Sequence, residues 1–430
     1  MGKGKNHLRL RQNLAILCLS LSALFLLLKV VSYEVGLSGA IVPLFSQAVT
    51  PAAPESAPST DLSGMDGPMN IMVIGSYGQR GFLLPDSGSS ELEPLRSLLR
   101  EALGSARSPA TVSAEAFQQA LDQGGVFYDN LTTQSGALLS ARFGASFDPG
   151  FSVRYLLISA SRSTVDLYLW DGADAICRCS TALSPSALTE VTSSYDPNDA
   201  LFAYEAGDAF AHLHPYTLLL FQPISVPAVQ GTSALAQLSS DELLAALDFN
   251  PHSESNYTLV NGTEVIMESP RRLVIQPDGT LIYSGDTEVT SDLYRIPAAD
   301  GEATEIEAVL AVRQLAETIL SSDVSANGEL WLSSVSGSGG TYTVTLDYMV
   351  QGVPVLFSDG GSALTAEITD SVITGFQFRC RQYTASADEA VRLLPVRQAA
   401  AAALAYEDAF LTACYVDSGG ASLTPSWIAQ

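Results

Sequence analysis

Residues 341–360 read "TYTVTLDYMVQGVPVLFSDG", and from Tyr342 to Val350 every even position is apolar or aromatic while Thr343, Thr345 and Asp347 fall on odd ones. A period of two predicts a strand with Tyr342, Val344, Leu346 and Tyr348 on one buried face. Gln351-Gly352 then turns the chain into a partner strand. In "ALTAEIT", Leu364, Ala366 and Ile368 alternate with Thr365 and Glu367, so a one-sided antiparallel meander is expected. "GELWLSSV", "VITGFQFRCRQY", "FLTACYV" and "SLTPSWIAQ" add further strands. Upstream, "EVIMESPRRLVIQPDGTLIYSG" reads as a pair of strands joined at Pro277-Asp278-Gly279. Across residues 305–320 the period changes to that of a helix, with Ile306, Val309, Val312, Ala316 and Ile319 on one stripe. Ser386-Ala387-Asp388-Glu389 has the form of a capping box and predicts a helix start. Pro395 opens another helix in "PVRQAAAAALAY".

The first half of the chain mixes the two periods more finely. "NIMVIGSYGQRGFLL" is a strand and a glycine-punctuated turn, and "SSELEPLRSLLREAL" a helix carrying Leu92, Leu95, Leu98, Leu99 and Leu103. Ser113 opens the helix in "VSAEAFQQALDQ", and "GVFYD" is a short buried strand. "RYLLISA" and "STVDLYLWDGADAICRC" predict a strand and a hairpin turned at Asp171-Gly172, and "SSDELLAALDF" a closing helix. One stretch is apolar throughout: residues 14–31 hold a single charge, Lys29. Eighteen helical residues rise roughly 27 Å, close to the hydrocarbon thickness of a bilayer. The rival reading, a cleaved signal peptide, has a small-x-small site at Ser46-Gln47-Ala48, far behind the apolar stretch. The expected organisation is a cytoplasmic tail at 1–12 and a transmembrane anchor at 13–33. A Pro/Ala/Ser-rich linker at 34–69 and two α+β domains at 70–249 and 250–430 follow. The fold class is therefore α+β: an N-terminal transmembrane helix, then mixed domains with curved antiparallel sheets packed by helices.

Charge sharpens this picture. All three lysines lie in the first 29 residues, and no acidic residue precedes Glu34. After Tyr33 stand 16 Arg against 46 Asp and Glu, a net of about −30. Such a surface repels phosphate backbones and excludes nucleic-acid binding. Lys3, Lys5, Arg9 and Arg11 before the apolar run place the N-terminus in the cytoplasm and the remainder outside.

Candidate chemistry is sparse. The sequence has no G-x-S-x-G, H-E-x-x-H, EF-hand or Walker A pattern, so no catalytic or metal residues and no cofactor are assigned. Cys177-x-Cys179 would face one side of a strand, as a redox or metal pair or as small apolar fillers; Cys380 and Cys414 complete the external thiols. His212-x-His214 could supply two metal ligands or be loop histidines, and His252 stands alone. Asp241-Glu242 and Asp388-Glu389 are explained by favourable placement at helix starts. Asn130, Asn256 and Asn261 begin glycosylation-like triplets, which read as chance matches if the chain is bacterial, as its Lys-poor, Arg- and Ala-rich composition suggests. On the apolar helix, Ala15, Cys18 and Ser22 form a stripe of small residues that either permits close helix approach or fell there by chance.

"YMVQGVPVLF", the following alternating strand, "ITDSVITGFQFRCRQY" and the Pro425-Ser426-Trp427 ending resemble the C-terminal domain of the YycH/YycI family. "YTLVNGTEVIMESPRRLVIQPDGTLIY" is similar to that family's preceding strand pair, and "IMVIGSYGQRG" with "GVFYDN" to the N-terminal region of YycH. The resemblance implies a non-enzymatic accessory protein of Gram-positive bacteria, anchored once in the cell membrane with its domains outside. It implies control of a WalK-type sensor histidine kinase governing cell-wall metabolism, and pairing with a second YycH/YycI-like protein. The chain departs from the family in its long linker and in joining both kinds of similarity in one polypeptide. The alternative is an extracytoplasmic binder of a cell-wall fragment or other ligand without a kinase partner. Its mark would be a concave aromatic pocket using Trp170, Trp331 or Trp427, each of which also fits a strand core.

Overall fold

The computed structural model describes residues 62–429, apart from 63–64, 66, 76–77, 84–88, 254, 299–300 and 321–327. Two large sheets carry the fold. Strands β1 (Asn70–Ile74), β2 (Arg80–Leu83), β3 (Arg107–Thr111), β4 (Gly125–Ser135), β5 (Ser152–Ala160), β6 (Val165–Trp170) and β7 (Ile176–Ser180) form the first, in the order β2-β1-β4-β5-β6-β7-β3. Every pairing in it is antiparallel. Both faces are covered, which is why "VFY" in β4 and "YLLI" in β5 read as continuous apolar runs. One face meets α1 (Ser89–Ser105), whose Leu95, Leu99 and Ala102 are fully buried against Val126, Tyr128 and Leu156. The other carries Phe127, Tyr155, Tyr168 and Trp170 and packs on α2 (Ala114–Asp122) through Phe117 and Leu121. Ser113 caps that helix, its Oγ accepting from the Ala116 N–H at 3.3 Å.

Helices α3 (Gly136–Arg142) and α4 (Pro185–Ser193) follow β4 and β7. The chain then runs through β8 (Leu201–Phe202), β9 (Leu218–Leu219), β10 (Ser225–Ser233) and α5 (Ser240–Ala246). At α5 the side chains of Ser239 and Glu242 each accept the other's backbone N–H, which accounts for Asp241-Glu242 as part of a helix start.

The second sheet starts at β11 (Tyr257–Thr258), β12 (Glu264–Glu268), β13 (Arg271–Ile275) and β14 (Thr280–Ser284). The stretch read as two strands is thus three, because Ser269-Pro270 makes an additional turn. Helix α6 (Glu305–Leu320) covers the sheet with Val309, Val312, Leu315, Ala316 and Ile319 buried. Strands β15 (Gly328–Ser338), β16 (Thr341–Val350), β17 (Val353–Phe357), β18 (Leu364–Thr369) and β19 (Val372–Arg379) contain the alternating segment. Tyr342, Val344, Leu346 and Tyr348 are buried, as the alternation requires, and Thr343 lies exposed. Gln351 and Gly352 both take positive φ, 51° and 81°, the conformation a two-residue hairpin needs.

Three sequence expectations change here. Ser386-Ala387-Asp388-Glu389 does not start a helix: it lies inside β20 (Arg381–Arg392), which pairs with β10. Ser386 Oγ still accepts from the N–H groups of Asp388 and Glu389, at 3.3 and 3.1 Å. Those bonds close a bulge where the register shifts opposite Pro227 and Val229, since ladder pairing on both sides outweighs local helix preference. The meander is not purely antiparallel either. After α7 (Val396–Ala402), β21 (Leu411–Asp417) lies parallel to β17 and antiparallel to β22 (Thr424–Ala429). Lastly, the linker expected to reach residue 69 is packed at its end: Leu62, Met65 and Met69 are buried, and Arg142 Nε donates to the Met65 carbonyl at 3.1 Å.

The fold class is mixed α+β with largely antiparallel sheets and seven α-helices among the described residues. One apolar cluster runs from Leu62 and Phe117 through Tyr283 to Leu423 and so takes side chains from both sheets. Among the described residues no helix is long and apolar enough to cross a membrane. The apolar segment 14–31, with Ala15, Cys18 and Ser22, lies outside the described residues.

Candidate functional site

The buried side chains of Asp129, Arg142, His214 and Asp417 fall in three polar centres. At the first, Arg142 on α3 donates to Asn130 Oδ1 (3.3 Å) and Gln134 Oε1 (2.6 Å) besides the Met65 carbonyl. Gln134 in turn donates to the Leu332 carbonyl at 2.9 Å, tying β4 to β15 of the second sheet. At the second, Asp417 at the end of β21 receives Arg381 on both carboxylate oxygens, at 2.9 and 3.2 Å. The Tyr383 hydroxyl (2.9 Å) and the Gly419 N–H (2.7 Å) complete its bonds. Bidentate geometry with further donors is what makes such a buried pair tolerable.

The third centre surrounds His214, in the loop between β8 and β9. Tyr216 N–H donates to His214 Nδ1 at 3.3 Å, and the Tyr155 hydroxyl lies 3.4 Å from the same nitrogen. Nδ1 is thus an acceptor and the ring is neutral with its proton on Nε2. Burial lowers the His214 pKa from the ordinary histidine value, with Asp408 and Asp129 opposing and Arg154 assisting. Arg154 pairs with Asp129 at 3.1 Å and stacks on Phe410, its guanidinium carbon 3.5 Å from the ring centre. At the surface lies a cleft of about 760 Å³ lined by Glu268 and Arg271, both half-buried, and by the exposed Asp248, Glu288 and Asp292. Its guanidinium is already held: Arg271 bonds Glu268 (2.8 Å) and the Asp248 carbonyl (2.8 Å), and lies over the Phe249 ring. A smaller cleft of about 350 Å³ has a polar lining that includes Gln79, Thr189, Thr192, Tyr195 and one carboxylate, Asp196.

Residues singled out in the sequence are mostly absorbed by the scaffold. Cys177 and Cys179 do share one side of β7, with sulfurs 3.8 Å apart, and both are buried free thiols. Burial pushes the Cys179 thiol up to about 12, and Cys414 likewise to about 12, while that of Cys380 is also raised. Thiols kept neutral in this way act as small apolar fillers. His212 and His214 engage different partners, since His212 Nε2 lies 2.9 Å from the Ala400 carbonyl. His252 sits on an exposed turn. Among the described residues no three His, Cys, Asp or Glu side chains are grouped so as to hold a metal ion. Asn130 is buried, whereas Asn261 occupies an exposed turn and accepts from the Thr263 N–H at 3.1 Å.

Each tryptophan spends its N–H inside the fold. Trp170 donates to the Ala173 carbonyl, Trp331 to that of Tyr348 and Trp427 to that of Leu394. None of the three lines either cleft. The Arg381–Asp417–Tyr383 centre was not foreseen from the sequence, and of the Arg154–Asp129–His214 centre only His214 was singled out; each centre draws on segments far apart in the chain. Apart from the H-x-H pair, the sequence signal for them was an arginine or tyrosine set within a strand pattern. No protein-family model matches the chain, and no curated protein or solved structure matches it.

Proposed function

We propose that this chain is a non-enzymatic, membrane-anchored extracytoplasmic regulator of a WalK-type sensor histidine kinase that controls cell-wall metabolism. The observation that carries the reading is the commitment of buried ionisable groups to the scaffold: Asp129, His214 and Asp417 are each held by named partners. Function then falls to surfaces and to the membrane segment rather than to a reacting group. The apolar run 14–31, the charge asymmetry around it and the resemblance of the alternating hairpins to the YycH/YycI family support the same reading. A single helix biases a neighbouring kinase's transmembrane bundle by packing alone, and Ala15, Cys18 and Ser22 offer a stripe for close approach. A second YycH/YycI-like protein is a further expected partner.

The test is co-purification with the kinase from membranes. Changing Ala15, Cys18 and Ser22 to leucine keeps the anchor hydrophobic but forces helices apart. The expected outcome is weaker recovery of the kinase and altered kinase output, with an exchanged anchor acting at least as strongly. If both variants behave as wild type, the membrane contact plays no part. If deletion of the gene leaves wall-stress signalling unchanged, the kinase reading fails. The second reading, an extracytoplasmic binder of a cell-wall fragment or other ligand, would rest on the 760 Å³ cleft, whose lining holds no aromatic side chain.

A further inference from the structure

The loop between β8 and β9 meets both sheets at one residue. His214 donates its backbone N–H to the Ala409 carbonyl (3.0 Å), and Asp408 N–H donates to the His212 carbonyl (2.9 Å). Leu213 and Ala409 pair as a parallel bridge. The His214 ring packs on Phe410, just before β21, with centroids 4.1 Å apart, and lies parallel to Tyr155 of β5. Three segments about 60 and 200 residues apart in the chain are thus joined around one imidazole, itself only 8% exposed.

We propose that His214 is an acid-sensitive latch: a proton gained on its ring opens the joint between the β8–β9 loop, β5 and the segment leading into β21. The neutral ring accepts at Nδ1 from Tyr216 N–H and faces the Tyr155 hydroxyl. Protonation turns that nitrogen into a donor facing another donor, and places a second cation beside Arg154. The charged groups that face it are Arg154 from β5, Asp129 from β4 and Asp408 from the segment before β21; the two tyrosines, Tyr155 and Tyr216, stay neutral in this range. Asp129 is already held by Arg154 and by the Leu131 N–H, and so is not free to turn to an imidazolium.

The sign follows from linkage. The folded joint binds the proton less well than the opened one, so protection is complete above the ordinary histidine pKa of 6.5 and is lost as pH falls below it. A proton wholly excluded from the closed state would raise opening up to about tenfold by pH 5.5.

Hydrogen exchange on the purified full chain, corrected for the intrinsic effect of pH, reads this directly. Amides in 211–217 and 405–412 are expected to exchange up to about tenfold faster at pH 5.5 than at pH 7.5, while those of β16 stay unchanged. His214→Gln keeps a polar side chain but removes the titration, and its exchange should be flat over that range. A flat wild type, or a Gln variant with wild-type pH dependence, would overturn the latch. If the variant does not fold, ring resonances of the four histidines in the wild type decide. Half-protonation of His214 below pH 6.5 supports the latch, and at or above pH 6.5 refutes it. None of these outcomes depends on whether a kinase is the partner.

Discussion

Asp417→Asn is expected to remove about 3–5 kcal/mol from the free energy of unfolding, the range for stranding one member of a buried ion pair. The Asp417 side chain is fully buried and that of Arg381 is 10% exposed, so solvent cannot replace the missing charge. Asparagine matches the shape but gives up one oxygen acceptor. Of the four donors that converge on this carboxylate, at least one is then left facing an amide. The pair joins the β10–β20 ribbon to β21, so the ribbon is the part expected to loosen first. Urea unfolding of the single variants and of Arg381→Met with Asp417→Leu separates the two contributions. The double variant should recover much of the loss, because two apolar side chains leave no charge unpaired. Equal stability of Asp417→Asn and wild type would show that the network does not hold the ribbon.

Gly125→Ala should cost more than about 4 kcal/mol, or prevent folding, because it combines two of the mechanisms behind exceptional destabilisation. Gly125 begins β4 with φ at +145°, a conformation side chains rarely adopt. An added Cβ would also lie 2.0 Å from the Ile158 carbonyl oxygen on β5, where the backbone is fixed by its ladder. Gly104→Ala provides the contrast. That glycine lies near the end of α1 with nothing within 4 Å, so alanine should stabilise by a few tenths to about 1 kcal/mol. Thermal unfolding of the two variants should therefore move in opposite directions; a tolerated Gly125→Ala would mean the β4–β5 register is wrong.

What could be read in the sequence was what repeats locally. The register of β16, the helix at 305–320 and the Ser113 cap depend on residues within a few positions of each other, and all three stand as expected. The Ser386 motif failed because its hydrogen bonds serve a helix start and a strand bulge equally well. Only the β10 partner, more than 150 residues earlier, decides between them. The parallel pairing of β17 with β21 was hidden for the same reason: alternation fixes which face is buried but not which strand lies alongside. The polar centres were the least legible. His214 was visible as half of an H-x-H pair, yet its partners Tyr155 and Phe410 sit 59 residues before it and 196 after it. No spacing rule links them.

Reconstitution tests the regulator reading most directly. The kinase and the full chain are placed together in one bilayer, and kinase autophosphorylation is followed with and without the chain. The expected result is a several-fold change in the rate when the native anchor is present, reduced or lost when an unrelated apolar helix replaces residues 13–33. A rate that stays the same at saturating amounts of the chain would contradict regulation through the kinase.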